Sequence, residues 1–189
     1  MPKYALVRQF NPLMRRSELD GIALANMATL ESYIYRGGSR PKTADHGIRW
    51  VRSYWEEGGY WGMCLYEAPN LEILQVYQDL CGMPVLDARE VVDLPGPLEG
   101  IEPSGEGERV AVSFRLKETG EAPQQQMERL AGGGASADAG LVRTYWSATQ
   151  RIATGLFSTR DGSAFAGRVA SVADVAPAKI VEVTPDEYR

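Results

Sequence analysis

The chain opens with an alternating run, Lys3 to Phe10 (KYALVRQF), rich in Tyr, Leu, Val and Phe, which predicts a half-buried strand. Asn11 and Pro12 break that alternation. Ser17 then sits where a helix cap belongs, and Leu19, Ile22, Ala23, Met27, Leu30 and Ile34 recur at steps of three and four, so a helix is expected until Gly37 and Gly38. A polar loop delivers the chain to Ile48, where IRWVRSYW resumes the period of two. Gly58 and Gly59 mark a tight reversal, and YWGMCLYE from Tyr60 returns as a second strand, giving a hairpin. Asn70 can cap a second helix through Leu71, Leu74, Tyr77, Gln78 and Cys81, closed by Gly82. A last strand, AREVVDL, runs from Ala88. The order β, α, β, β, α, β is that of a split unit whose two helices cover one face of a four-stranded antiparallel sheet.

From Pro95 to Glu108 the composition turns to Pro, Gly and Glu, with three prolines and little to pack, so residues 95–108 read as a linker between residues 1–94 and 109–189. Beyond it the grammar returns. RVAVSFRL predicts a strand, a shorter helix follows Pro123, AGGGASADAG forms a loop, LVRTYW and RIATGLFS make a strand pair, and a helix from Asp161 precedes the strand AKIVEV. WVRSYW begins at Trp50 and LVRTYW at Leu141, 91 positions on; the same spacing aligns Leu65 and Tyr66 with Leu156 and Phe157. Similarity that recurs in order marks an internal repeat.

These readings give an α+β protein of tandem ferredoxin-like βαββαβ repeats. A sheet covered by helices on one side leaves the other side apolar and bare. Two such faces in one chain are expected to pack face to face and enclose a ligand pocket between the sheets. The alternatives are that the sheets pack dry, or that each half seeks a partner chain in a homo-oligomer.

Composition narrows the function classes. With 25 acidic against 20 basic residues and a net charge of -5, no basic run exists to neutralise a series of phosphates, so nucleic acid is not an expected partner. No apolar run approaches the length of a spanning helix, and the first ten residues lack the basic-then-apolar order of a secretory signal; no membrane association and a cytoplasmic location are expected. Cys64 and Cys81 fall in a strand and at a helix end, which predicts reduced thiols. His46 is the single histidine, so no site in one chain can use two imidazoles.

PKY with its following strand, then WVRSYW, CLYEAPN with its helix, GMP and EVVDL, resemble a bacterial family of small ferredoxin-like proteins described as nickel-binding or nickel-responsive. The likeness covers roughly residues 3 to 94 and reaches the second half only through LVRTYW. It implies the ferredoxin-like fold and nickel as the metal its members handle. Members often carry His where this chain has Arg52. An arginine stays protonated and is no ordinary metal ligand, so no residue is assigned to a metal and no cofactor is expected.

Strict alternation would put Trp50, Arg52 and Tyr54 on one strand face, and Leu141, Arg143 and Tyr145 likewise in the second copy. A guanidinium in an aromatic strand is costly to bury unless paired. Arg52, Tyr54, Arg143 and Tyr145, with Trp50 and Tyr66 as aromatic wall, are therefore candidate binders of an anionic or phenolic ligand, unless the arginines reach solvent or pair with Glu67 or Glu90. His46 is the candidate general base, for its titration near neutrality, or a surface residue. Cys64, between Met63 and Leu65, reads as core. The glycines at 132–134 lack the Lys-Ser or Lys-Thr of a phosphate cradle. A small-molecule binding protein is the leading expectation. Paired ferredoxin-like units also resemble the dimeric α/β barrel scaffold of cofactor-independent oxygenases, isomerases and cyclases, so an enzyme is the second reading, and a nickel-binding protein the third.

Overall fold

A computed structural model describes residues 1–10, 47–56, 59–81, 85–95, 107–130 and 139–184. The helix expected from Ser17 to Ile34, His46 and the glycines at 132–134 lie outside these residues. Among the described residues there are eight strands, mostly antiparallel, and three helices. In chain order they are β1 (Lys3–Gln9), β2 (Arg49–Glu56), β3 (Trp61–Glu67), α1 (Leu71–Cys81), β4 (Asp87–Pro95), β5 (Glu108–Arg115), α2 (Pro123–Leu130), β6 (Ala139–Ser147), β7 (Ile152–Thr159), α3 (Gly162–Val169) and β8 (Ala178–Val183).

The chain forms two compact units, one of Met1–Glu90 with Val181–Arg189, the other of Val91–Ile180. The division runs through β4 and β8, so each of these strands begins in one unit and ends in the other.

In the first unit β3 lies between β1 and β2, antiparallel to both. The hairpin between β2 and β3 is closed by Glu56, whose carboxylate accepts from the backbone N–H of Tyr60 at 3.0 Å and of Trp61 at 3.2 Å. Asn70 caps α1 by accepting from the N–H of Ile73 at 2.8 Å. The three-and-four spacing of α1 then buries Leu74, Tyr77 and Gln78, while Glu72, Gln75 and Asp79 face outward. Leu74 and Tyr77 join Tyr4, Leu6, Trp50, Trp55, Cys64 and Tyr66 in one apolar core. Burying each of the larger of these side chains is worth about 1.5–3 kcal/mol.

In the second unit the strand order is β8, β5, β7, β6, β4, and β5 with β7, β5 with β8, β6 with β7 and β4 with β6 all pair antiparallel. Asp161 caps α3 by accepting from the N–H of Ala164 at 2.8 Å, and the carboxylate of Glu108 on β5 accepts from Gly162 N–H at 2.6 Å, satisfying a second orphan donor of the same helix end. Pro123 opens α2, where its missing N–H costs nothing. Phe165 and Val169 of α3 and Met127 of α2 bury against Val110, Val112, Phe114, Leu141 and Phe157.

Each unit carries a β-bulge. In β2 the register slips between Trp50 and Arg52, so that Trp50 faces Tyr66 while Arg52 faces Leu65. In β6 it slips between Leu141 and Arg143, which face Phe157 and Leu156. All four positions of one irregularity lie 91 residues from those of the other.

Candidate functional site

The bulges decide which side chains share a face. One extra residue in a strand reverses the alternation beyond it. Trp50 therefore sits on the α1 side with Ser53 and Trp55, donating from Nε1 to Ser53 Oγ at 3.0 Å, whereas Arg52 and Tyr54 lie on the opposite side. This corrects the expectation of one face shared by Trp50, Arg52 and Tyr54. Tyr66 also belongs to the α1 core, its ring 5.8 Å edge-on from that of Tyr77. Trp50 and Tyr66 are thus walls of a helix-covered core and do not line the face that holds Arg52. In β6, Leu141 and Trp146 pack with the helices, and Arg143 and Tyr145 occupy the other face, which again divides a set that strict alternation would unite.

On the face of the first unit opposite α1, cross-strand pairing places Tyr54 beside Met63, and Met63 beside Val7. Arg52 lies one pair along, beside Leu65, its side chain 26% exposed, and its Nη1 lies 2.5 Å from Oε1 of Glu182 on β8. The acid is neither Glu67 nor Glu90. Glu67 instead accepts from Nε and Nη2 of Arg49, at 2.9 and 2.6 Å.

On the corresponding face of the second unit, one row crosses four strands in register: Ser113 on β5, Thr154 on β7, Tyr145 on β6 and Asp93 on β4. Ser113 Oγ and Thr154 Oγ1 are hydrogen-bonded at 2.8 Å, and Ser113, Thr154 and Tyr145 are all buried. Arg143, 32% exposed, reaches Tyr145 OH at 3.5 Å and Asp93 Oδ2 at 3.8 Å. Ser147, two residues beyond Tyr145 on the same face, is fully buried, and its Oγ has no hydrogen-bond partner among the described residues.

Ser113, Thr154, Ser147 and Asp93 were missed by sequence reasoning. A signal for two of them exists, because Ser113 and Thr154 interrupt the otherwise apolar alternation of RVAVSFRL and RIATGLFS.

A second polar cluster lies under α1. Arg8 is fully buried, donating from Nε to Cys64 Sγ at 3.2 Å and from Nη2 to Gln78 Oε1. Burial works against its charge, but Cys64 and Tyr66 outweigh that and raise its pKa above the ordinary value. Cys64 is free and buried, as a core thiol should be. Among the described residues no group of three or more His, Cys, Asp or Glu is placed to hold a metal ion. No helix among them is long and apolar enough to cross a membrane.

No protein-family model matches the chain, and no curated protein does. It is similar in structure to an anthrone oxidase-like protein (TM-score 0.42, 11% identity, covering 97% of this chain and 93% of that one). A candidate chlorite dismutase (TM-score 0.40, 8% identity, 96% of each chain) and a candidate monooxygenase from Lactobacillus acidophilus (TM-score 0.40, 5% identity, 96% and 93%) are also similar. Likeness at this level assigns neither activity nor ligand.

Proposed function

We propose that this chain is a small-molecule binding protein made by duplication of one βαββαβ unit, with Arg52 and Tyr54 in the first copy and Arg143 and Tyr145 in the second as polar anchors on the strand faces away from the helices. The observation that carries this reading is the repeated bulge. In each unit it delivers an arginine and, two residues on, a tyrosine to the face opposite the described helices, at positions 91 residues apart. A bulge disrupts the ladder locally and is retained where it re-aims a side chain. Each arginine also has an acid nearby, Glu182 or Asp93, which offsets part of the cost of holding a guanidinium in a half-buried place. A guanidinium and a phenol on one strand face are a recognition pair for an oxygen-bearing organic ligand.

Native mass spectrometry of the protein purified from its own host should show a retained compound, and Arg143→Ala should release it without unfolding the chain. Full retention by Arg143→Ala would remove the anchor role. Turnover of the retained compound would convert the binding protein into an enzyme on the same site.

A further inference from the structure

Resting on that reading, we infer that the second unit recognises the hydroxyl of an uncharged phenol-class ligand, through the row Ser113, Thr154 and Tyr145, and that Asp93 selects against carboxylates. The inference comes from comparing one cross-strand row of each unit, each running through the tyrosine of the bulged strand. In the first unit the row is Val7, Met63, Tyr54; in the second it is Ser113, Thr154, Tyr145. Met63 and Thr154, like Tyr54 and Tyr145, are 91 positions apart. Tyrosine is common to both rows, and apolar residues in one stand where hydroxyls stand in the other.

Valine and methionine in the first unit show that this row can be filled without a hydroxyl, so the polar version is not a requirement of the fold. Burying hydroxyls where apolar groups would serve carries a desolvation cost, which the Ser113–Thr154 hydrogen bond at 2.8 Å offsets in part. Ser147 makes the same point independently, since its buried Oγ finds no partner among the described residues on the face it shares with Tyr145. A ligand hydroxyl, both donor and acceptor, matches a set of side-chain hydroxyls that are themselves donors and acceptors.

Charge then separates ligand classes. Arg143 alone would favour any anion, but Asp93 lies directly opposite Tyr145 in the same row, and its carboxylate lies 3.8 Å from Arg143. The pair is neutral as a whole. An incoming carboxylate would face Asp93 across the row with like charge, and a neutral phenol would not.

The test uses 2-naphthol and 2-naphthoate, matched in shape and differing in charge, titrated calorimetrically into the full chain at neutral pH. The wild-type protein should bind 2-naphthol about tenfold or more tightly than 2-naphthoate, a difference on the order of one buried like-charge contact. Ser113→Ala with Thr154→Val should weaken 2-naphthol about tenfold while melting at a temperature close to the wild type, and Ser113→Ala alone serves if the double variant fails to fold. Asp93→Asn should narrow or reverse the preference. Tighter binding of 2-naphthoate by the wild type, or unchanged 2-naphthol affinity in the hydroxyl-free variants, would overturn the inference. If Arg143→Ala weakens binding and the hydroxyl-free variants do not, the binding reading stands and the hydroxyl row falls. Absence of binding of either probe together with no retained compound from the host would overturn both.

Discussion

Arg52 on β2 and Glu182 on β8 meet through Nη1 and Oε1 at 2.5 Å, although 130 residues of chain separate them. The contact ties the last strand of the chain to the bulged strand of the first unit. Arg143 has the equivalent relation to Asp93 at 3.8 Å, so the same device recurs with a longer reach. Because both partners of the first pair are partly exposed, screening limits its worth. A double-mutant cycle on Arg52→Ala and Glu182→Ala should give a coupling of about 0.5–1 kcal/mol, falling as salt is raised, and a smaller one for Arg143 and Asp93. Equal couplings for the two pairs would contradict the geometry.

Gly62 stands against the face of Trp55. A Cβ there would come within 2.6 Å of Cε3 and 2.8 Å of Cζ3 of a ring that is 1% exposed and cannot swing into solvent. Gly62→Ala should lower stability by about 1–3 kcal/mol, read from the midpoint of a denaturant titration. Gly167 on α3 is the counter-case, since nothing lies within 4 Å of its added Cβ. There Gly→Ala should stabilise by about 0.5–1 kcal/mol through helix propensity.

Arg8 is the residue whose loss should be felt most in the first unit. Arg8→Met keeps much of the stem but leaves Gln78 Oε1 and Cys64 Sγ without their buried donor. A loss of about 2–4 kcal/mol is expected. Adding Gln78→Leu should return part of it, because removing both partners of a buried polar contact costs less than orphaning one. Chemical denaturation of the two variants, compared with the wild type, checks the order.

Glu108 supplies a pH signature. Its carboxylate accepts from Lys179 Nζ and from the N–H of Gly162, and these contacts hold it below the usual carboxylate range against an opposing effect of desolvation. A carboxyl depressed in the folded state stabilises above its unfolded pKa, and that contribution is lost as pH falls through the folded value. Glu108→Gln should therefore be less stable than the wild type near about pH 7, with the gap closing below about pH 4. A gap that persists in acid would show that the contacts act without charge.

Much of the fold was legible in the amino-acid sequence because it depends on near neighbours. Alternation located all eight strands, Asn70 and Asp161 announced the helix starts they cap, and Pro123 announced another. The 91-residue echo of WVRSYW in LVRTYW likewise stood in plain letters. These signals are local, so the sequence determined the elements, their order and the recurrence of Arg and Tyr by itself. The faces were another matter. A bulge is a relation between two strands, and nothing in WVRSYW states that Val51 is extra; only pairing with β3 puts Trp50 behind Arg52 and into the α1 core. Tertiary structure alone also chose Glu182 as the partner of Arg52, brought Ser113, Thr154, Tyr145 and Asp93 into one row, and drew the boundary between units through β4 and β8. The physical reason is common to all three. Which groups meet across a sheet is set by register between segments distant in the chain, and register minimises the free energy of the whole packed unit, which no single segment encodes.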